Sequence, residues 1–103
     1  MSIVEDRGHL TVPITLSEID IRTAPAFSEE LRAALAEAER TGARHLTLDL
    51  DAVTFIDSMG IGALIDTSRI AGERGCRLDL AHVNRPVQLA LDVLGLDEML
   101  TVT

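Results

Sequence analysis

An α/β domain, with a mixed β-sheet of four to five strands covered by three or more α-helices, is expected from three patterns in this 103-residue chain. Leu46, Leu48 and Leu50 alternate with His45, Thr47 and Asp49, the period of a strand with one apolar face. Phe27, Leu31, Ala34, Leu35 and Ala38 recur at helical spacing and make one apolar stripe. After an opening pair of strands, helix and strand then take turns, the order expected of parallel strands joined by helical crossovers. Residues 1–103 read as a single domain, since no linker, repeat or low-complexity tract divides them.

Met1 to Leu16 reads as two short strands around the turn composition Asp6-Arg7-Gly8. In the second, Leu10, Val12, Ile14 and Leu16 share a face, while Pro13, having no N–H, points to an edge or a bulge. Ser17 to Arg22 reads as a connecting loop. Thr23 is placed to cap a helix running from Ala24 to Thr41, with Pro25 in its first turn, Arg40 at the negative end of its dipole and Gly42 just beyond. A strand-like run, Leu46 to Phe55, leads to a second helix that begins near Ser58. It carries Ile61, Leu64, Ile65, Ser68 and Ala71 on one side and ends by Gly75. Arg77 to Val83 is the next strand. Asn84 is placed to cap a third helix, with Pro86 early, Val87, Leu91 and Leu94 inward, and Gly95 as its stop. Met99 to Val102 reads as a last strand.

Composition removes several functions. The net charge is −8 and neither Trp nor Tyr occurs, so the basic footprint and stacking platforms of a nucleic-acid binder are missing. All nine basic residues are Arg, which excludes amine chemistry: a Walker A loop, a Schiff base, or a receiver-type site built on Asp49 and Asp51. No run approaches the ~20 apolar residues of a membrane span, and the polar, acidic start is unlike a secretory signal. His9, His45 and His82 lack ligand spacing, so no metal is expected. The single Cys76 reads as a small strand residue and fits a reducing cytoplasm, where this protein is expected to reside. An acidic surface of this kind suits a basic protein partner.

Chemistry concentrates in Asp57-Ser58-Met59-Gly60-Ile61-Gly62, where a strand gives way to a helix. The N–H groups of a first helical turn lack intrahelical partners and favour a capping oxygen or a nearby negative charge. Ser58 is therefore either an ordinary cap or a hydroxyl on which a phosphate would sit comfortably. Gly60 and Gly62 cost up to about 1 kcal/mol each relative to Ala in a helix. Either the approach of a second backbone or tight packing of this turn on the sheet would justify them.

Val53-Thr54-Phe55-Ile56-Asp57-Ser58-Met59-Gly60-Ile61-Gly62 resembles the signature of the STAS domain family, in its branch of anti-sigma factor antagonists. Upstream, Glu18-Ile19-Asp20-Ile21-Arg22-Thr23-Ala24 is similar to that family's Glu-Leu-Asp-x-x-Thr-Ala segment. Downstream, Asn84-Arg85-Pro86-Val87 through Leu94-Gly95-Leu96 is similar to its last helix and Gly-Leu ending. Ser17 departs from the family's usual Gly, and many relatives add a closing helix after the last strand.

The resemblance implies a STAS-like fold and a switch without cofactor or catalytic residue. The unmodified protein would bind an anti-sigma factor that is also a serine kinase, freeing a sigma factor for transcription. Phosphorylation of Ser58 would end that binding and a protein phosphatase would restore it. Asp57, Ser58, Met59, Gly60 and Ile61, with Glu18 and Asp20, would meet the partner. The alternative within the family is an unmodified scaffold in a stress-sensing or transport complex. A small serine hydrolase is a poorer fit, because Ile56 and Asp57 do not make a Gly-x-Ser-x-Gly elbow. Gly60 to Ile65 matches a dinucleotide fingerprint only in part, since Ile65 stands where Gly or Ala belongs.

Overall fold

The computed structural model describes residues 3–95 and 101–102. Ten elements follow in chain order: β1 (Val4–Asp6), β2 (His9–Pro13), β3 (Glu18–Ile19), α1 (Ala24–Thr41), β4 (His45–Asp49), β5 (Phe55–Ile56), α2 (Ser58–Glu73), β6 (Arg77–Ala81), α3 (Arg85–Val93) and β7 (Thr101–Val102). Met99, Leu100 and Leu96, which the sequence assigns to the last strand and the Gly-Leu ending, lie outside the described residues.

The main sheet has the order β1-β2-β4-β6-β7. β1 runs antiparallel to β2, and β2, β4, β6 and β7 pair in parallel, so the sheet is mixed as expected. Register places Leu10, Leu46 and Leu78 in one row and Val12, Leu48 and Leu80 in the next. These six are buried and make the floor of the core. α1 and α2 pack on each other and on this leucine face, contributing Phe27, Leu31 and Ala34 from one helix and Ile61, Leu64 and Ala71 from the other. The opposite face carries His9, His45 and Arg77 in a polar row. Alternation in parallel strands thus reports a sheet with its helices on one side.

Pro13 fits for a geometric reason. Ile14 N–H donates to Asp49 O at 3.0 Å, so the preceding residue would aim its N–H the other way, past the end of β1, whose pairing with β2 stops at Val4 and Thr11. α1 spans the expected residues and buries the expected five, and Gly42 closes it with φ 70°. In α2, Ile61, Leu64 and Ala71 of the expected stripe are buried and Ile65 and Ser68 half-buried, while Thr67 is buried in addition, its hydroxyl donating to Ala63 O at 2.7 Å. No described helix is long and apolar enough to cross a membrane.

Two expectations are corrected. Ser17 to Arg22 is not all loop: Glu18–Ile19 forms β3, which pairs in parallel with β5 as a separate two-stranded sheet. The run from Leu46 to Phe55 is likewise not one strand. β4 stops at Asp49, a turn closes with Val53 N–H donating to Leu50 O at 2.9 Å, and the chain re-enters as β5.

Candidate functional site

The small β3–β5 sheet builds the site. Register sets Glu18 beside Phe55 and Ile19 beside Ile56. Thr54 N–H donates to Ser17 O at 2.8 Å, and Asp57 N–H donates to Ile19 O at 3.0 Å, so the ladder is bonded at both ends. The segment carrying Glu18 and Asp20 is thereby held against the segment that launches α2.

α2 is capped by Asp57, not by Ser58. Asp57 is in extended conformation, and its Oδ1 accepts the Gly60 N–H at 3.0 Å. This is the satisfaction of an orphan donor that a cap supplies. Ser58 is the first helical residue. It is exposed, and its hydroxyl makes no hydrogen bond to any described residue. Of the two roles left open for Ser58, the ordinary cap is taken by Asp57 one position earlier, and the Ser58 Oγ has no hydrogen bond among the described residues. Met59 is exposed beside it.

Gly60 and Ile61 turn inward and are buried, apart from the exposed pair before them. A Cβ on Gly60 would stand 2.6 Å from Ile56 Cγ1 and 2.7 Å from Ile19 Cγ2. Packing of this turn on the small sheet accounts for that glycine. Gly62 has nothing within 4 Å of a Cβ position, so packing does not account for it.

The loop from β3 to α1 is locked by its own polar groups. Asp20 Oδ1 accepts from Arg22 N–H at 2.9 Å and Thr23 N–H at 3.3 Å, and Oδ2 pairs with the Arg22 guanidinium at 2.9 Å. That hydrogen-bonded guanidinium, with the two amides, holds the Asp20 carboxyl below its ordinary pKa against a weaker opposing effect of burial. Thr23, expected as a helix cap, uses its hydroxyl otherwise: it accepts from Asp20 N–H at 2.9 Å and donates to Glu18 O at 2.8 Å. Asn84, also expected as a cap, donates instead to Asp51 O at 3.0 Å and Val53 O at 2.6 Å, pinning the turn that precedes β5. Of the acids expected at a partner surface, Glu18 is exposed and Asp20 is half-buried and internally engaged.

Leu89, Val93 and Leu94 line an apolar surface shared with Ser58 that sequence reasoning missed. Seven large hydrophobic side chains are exposed among the described residues. Six of them, Ile21, Phe55, Met59, Leu89, Val93 and Leu94, belong to the β3–α1 loop, β5, the first turn of α2, and α3 with its end. Leu94 was expected inward, but it is the residue that ends α3 and is exposed. The signal that could have found the patch is the pair Leu89 and Val93, one helical turn apart on the side away from that stripe. Among the described residues no group of His, Cys, Asp or Glu could hold a metal ion.

A family model described as Mlab, STAS domain matches residues 5–101. The chain belongs to the STAS domain family. An anti-sigma F factor antagonist from Paenibacillus polymyxa is 30% identical over 97 residues, covering 93% of this chain and 79% of that protein. The crystal structure of an anti-sigma factor antagonist from Mycobacterium paratuberculosis superposes with a TM-score of 0.79 at 25% identity, over 98% of this chain and 81% of the other. The structure of the Bacillus cell-fate determinant SpoIIAA in its phosphorylated form shares the fold, with a TM-score of 0.64 at 14% identity over 99% of this chain and 89% of that one. This STAS domain is thus homologous to anti-sigma factor antagonists, whose partner class is the anti-sigma factor.

Proposed function

We propose that this STAS domain is a phosphorylation-controlled anti-sigma factor antagonist whose switch is Ser58. The observation that carries the reading is the hydroxyl itself: exposed on the first helical residue, free of hydrogen bonds to the described residues, and set among exposed apolar side chains. In the unmodified state Met59 and the neighbouring apolar groups are available to an anti-sigma factor with serine kinase activity, and its sigma factor is released. The kinase transfers the γ-phosphoryl group of ATP to Ser58 Oγ, ADP leaves, and the hydroxyl proton passes to a base of the kinase. A protein phosphatase hydrolyses the ester.

The physical effect differs inside and outside the domain. The modification adds about −1.5 to −2 charges. Within the domain it meets the positive end of α2, which tolerates it. Against a docked partner it places a dianion next to Asp57 in a surface being stripped of water, where like charge and desolvation both oppose binding. A loss of about 1.4 kcal/mol per tenfold in affinity means that a few such penalties abolish the complex. Glu18 and Met59 serve as contacts, while Asp20, Asp57, Gly60 and Ile61 shape the surface they stand on.

The test is incubation with the cognate anti-sigma factor and ATP–magnesium, followed by mass spectrometry. One phosphate on Ser58, none in Ser58→Ala, and loss of the complex in Ser58→Asp are expected. A partner affinity unchanged after complete phosphorylation would sink the reading.

A further inference from the structure

At the far end of α2 from Ser58, the chain returns that follow α1 and α2 form a recess of about 240 Å³. Ala43 N–H donates to Ala38 O at 2.9 Å and Cys76 N–H to Ala71 O at 2.8 Å, so both helices close in the same way. Gly42 and Gly75 take positive φ in these returns, 70° and 75°. Their own N–H groups donate to Glu39 O and Gly72 O. The last carbonyls of both helices are thus engaged by the chain's own amides, which lowers the negative potential that a helix end otherwise presents.

The floor of the recess is the edge of the core. Leu35, Ala38, Ala43, Ala71 and Cys76 line it, and all five are buried. Burial pushes the Cys76 thiol up, so it is neutral at pH 7 and adds to that apolar floor. Three charged side chains complete the lining, Glu39, Arg44 and Arg74. Glu39 Oε2 meets Arg74 Nη1 at 3.2 Å, so these two offset each other. Arg44 is left as the surplus cation. It pairs with no carboxylate among the described residues, in a chain of 17 acids and nine arginines. Its backbone is fixed from both sides, its N–H donating to Gly8 O and its C=O accepting from Arg77 N–H, each at 2.8 Å.

Charge and size narrow the occupant. An ammonium would meet an uncompensated guanidinium. A folded polypeptide segment is too large, since pockets for drug-sized ligands already run to about 300–1,000 Å³. Inorganic phosphate would leave the apolar floor uncovered. We infer that the recess binds a small aliphatic carboxylate, with its chain on the floor and its carboxylate on the Arg44 guanidinium. The planar fork of that group matches a carboxylate through two parallel hydrogen bonds. The net charge of −8 opposes an anion at long range, but salt screens exposed charges beyond about 8 Å. The site is separate from Ser58 and does not rest on the switch.

The probes are hexanoate, its neutral isostere hexanamide, and inorganic phosphate, each titrated into the full chain at constant ionic strength. The readouts are affinity, the amide shifts of residues 42–44 and 71–76, and the rate at which a thiol reagent labels Cys76. Hexanoate is expected to bind with a Kd of about 1 mM, ordinary for so few atoms. It should bind at least about tenfold more tightly than hexanamide or phosphate, shift those residues and slow the labelling of Cys76. Arg44→Gln removes the charge at an exposed position, where little effect on the fold is expected. It should bring hexanoate down to the level of hexanamide, and Arg44→Lys should restore part of the difference. Melting curves check that both variants fold.

Hexanamide or phosphate binding as tightly as hexanoate overturns the inference. So does hexanoate affinity unchanged in Arg44→Gln, a shift pattern centred on Ser58, or no shift at about 10 mM. Ser58→Asp is expected to leave hexanoate binding unaltered, so this site and the switch stand or fall separately.

Discussion

Ile19 of β3 and Ile56 of β5 face each other across a two-residue parallel ladder and close on the Cα of Gly60, leaving 2.7 and 2.6 Å to the place a Cβ would take. The intruded atoms are Cγ positions of β-branched side chains, which are stiff at χ1 and cannot swing aside cheaply.

Gly60→Ala should therefore destabilise the domain. Helix propensity alone would give up to about 1 kcal/mol of gain, but overpacking costs about 1–3 kcal/mol, and the strain is expected to win. Gly62→Ala meets open space and should stabilise by up to about 1 kcal/mol. Urea denaturation of the two variants side by side reads the opposite signs.

Asp57→Ala removes the acceptor of the Gly60 N–H and should cost about 1 kcal/mol. Asp57→Asn keeps an oxygen there and should cost less. Ser58→Ala, one residue on, should leave the denaturation midpoint nearly unmoved, because its hydroxyl bonds to no described residue.

Asn84→Ala leaves Val53 O and Asp51 O without their donor, at a cost of about 1–3 kcal/mol. Amide exchange should quicken first between Leu50 and Phe55, the turn that Asn84 pins.

The Asp20 carboxyl sits below its ordinary pKa because the folded loop binds its ionised form, chiefly through the Arg22 guanidinium. A depressed acid stabilises the fold fully above its unfolded pKa, and that contribution disappears as pH falls through the lowered value. The amides of Arg22 and Thr23 should accordingly keep their neutral-pH chemical shifts through the ordinary carboxylate range and move only below it. Asp20→Asn should abolish that titration.

The Cys76 thiol is pushed up by burial, with Asp79 adding to it. A raised thiol pKa favours the fold at neutral pH, and this contribution is lost as pH rises past the ordinary thiol value. Thiol reagents should label Cys76 slowly in the native chain and rapidly in denaturant.

How much was legible in the sequence depended on the length of the signal. α1 was readable to both ends because eighteen residues repeat one pattern between a proline near the start and a glycine just past the end. β3 and β5 are two residues each, too short to show any period, and what defines them is contact with each other across 37 positions of chain. The caps were misread for a related reason. Asp57 and Ser58 are both good capping residues one step apart, and only the backbone angles decide which one bends back over the turn. The hydroxyl of Thr23 and the amide of Asn84 were drawn to carbonyls from other segments, which local spacing cannot reveal. The place of Ser58 at the start of a helix was legible, while the exposed aliphatic edge of α3 was hidden by reading that helix for a single stripe.

Giving the cap to Asp57 separates two duties that a serine in that place would otherwise combine. Because the capping bond comes from Asp57, the start of α2 does not depend on the Ser58 hydroxyl, and that position is free to vary without loss of the cap.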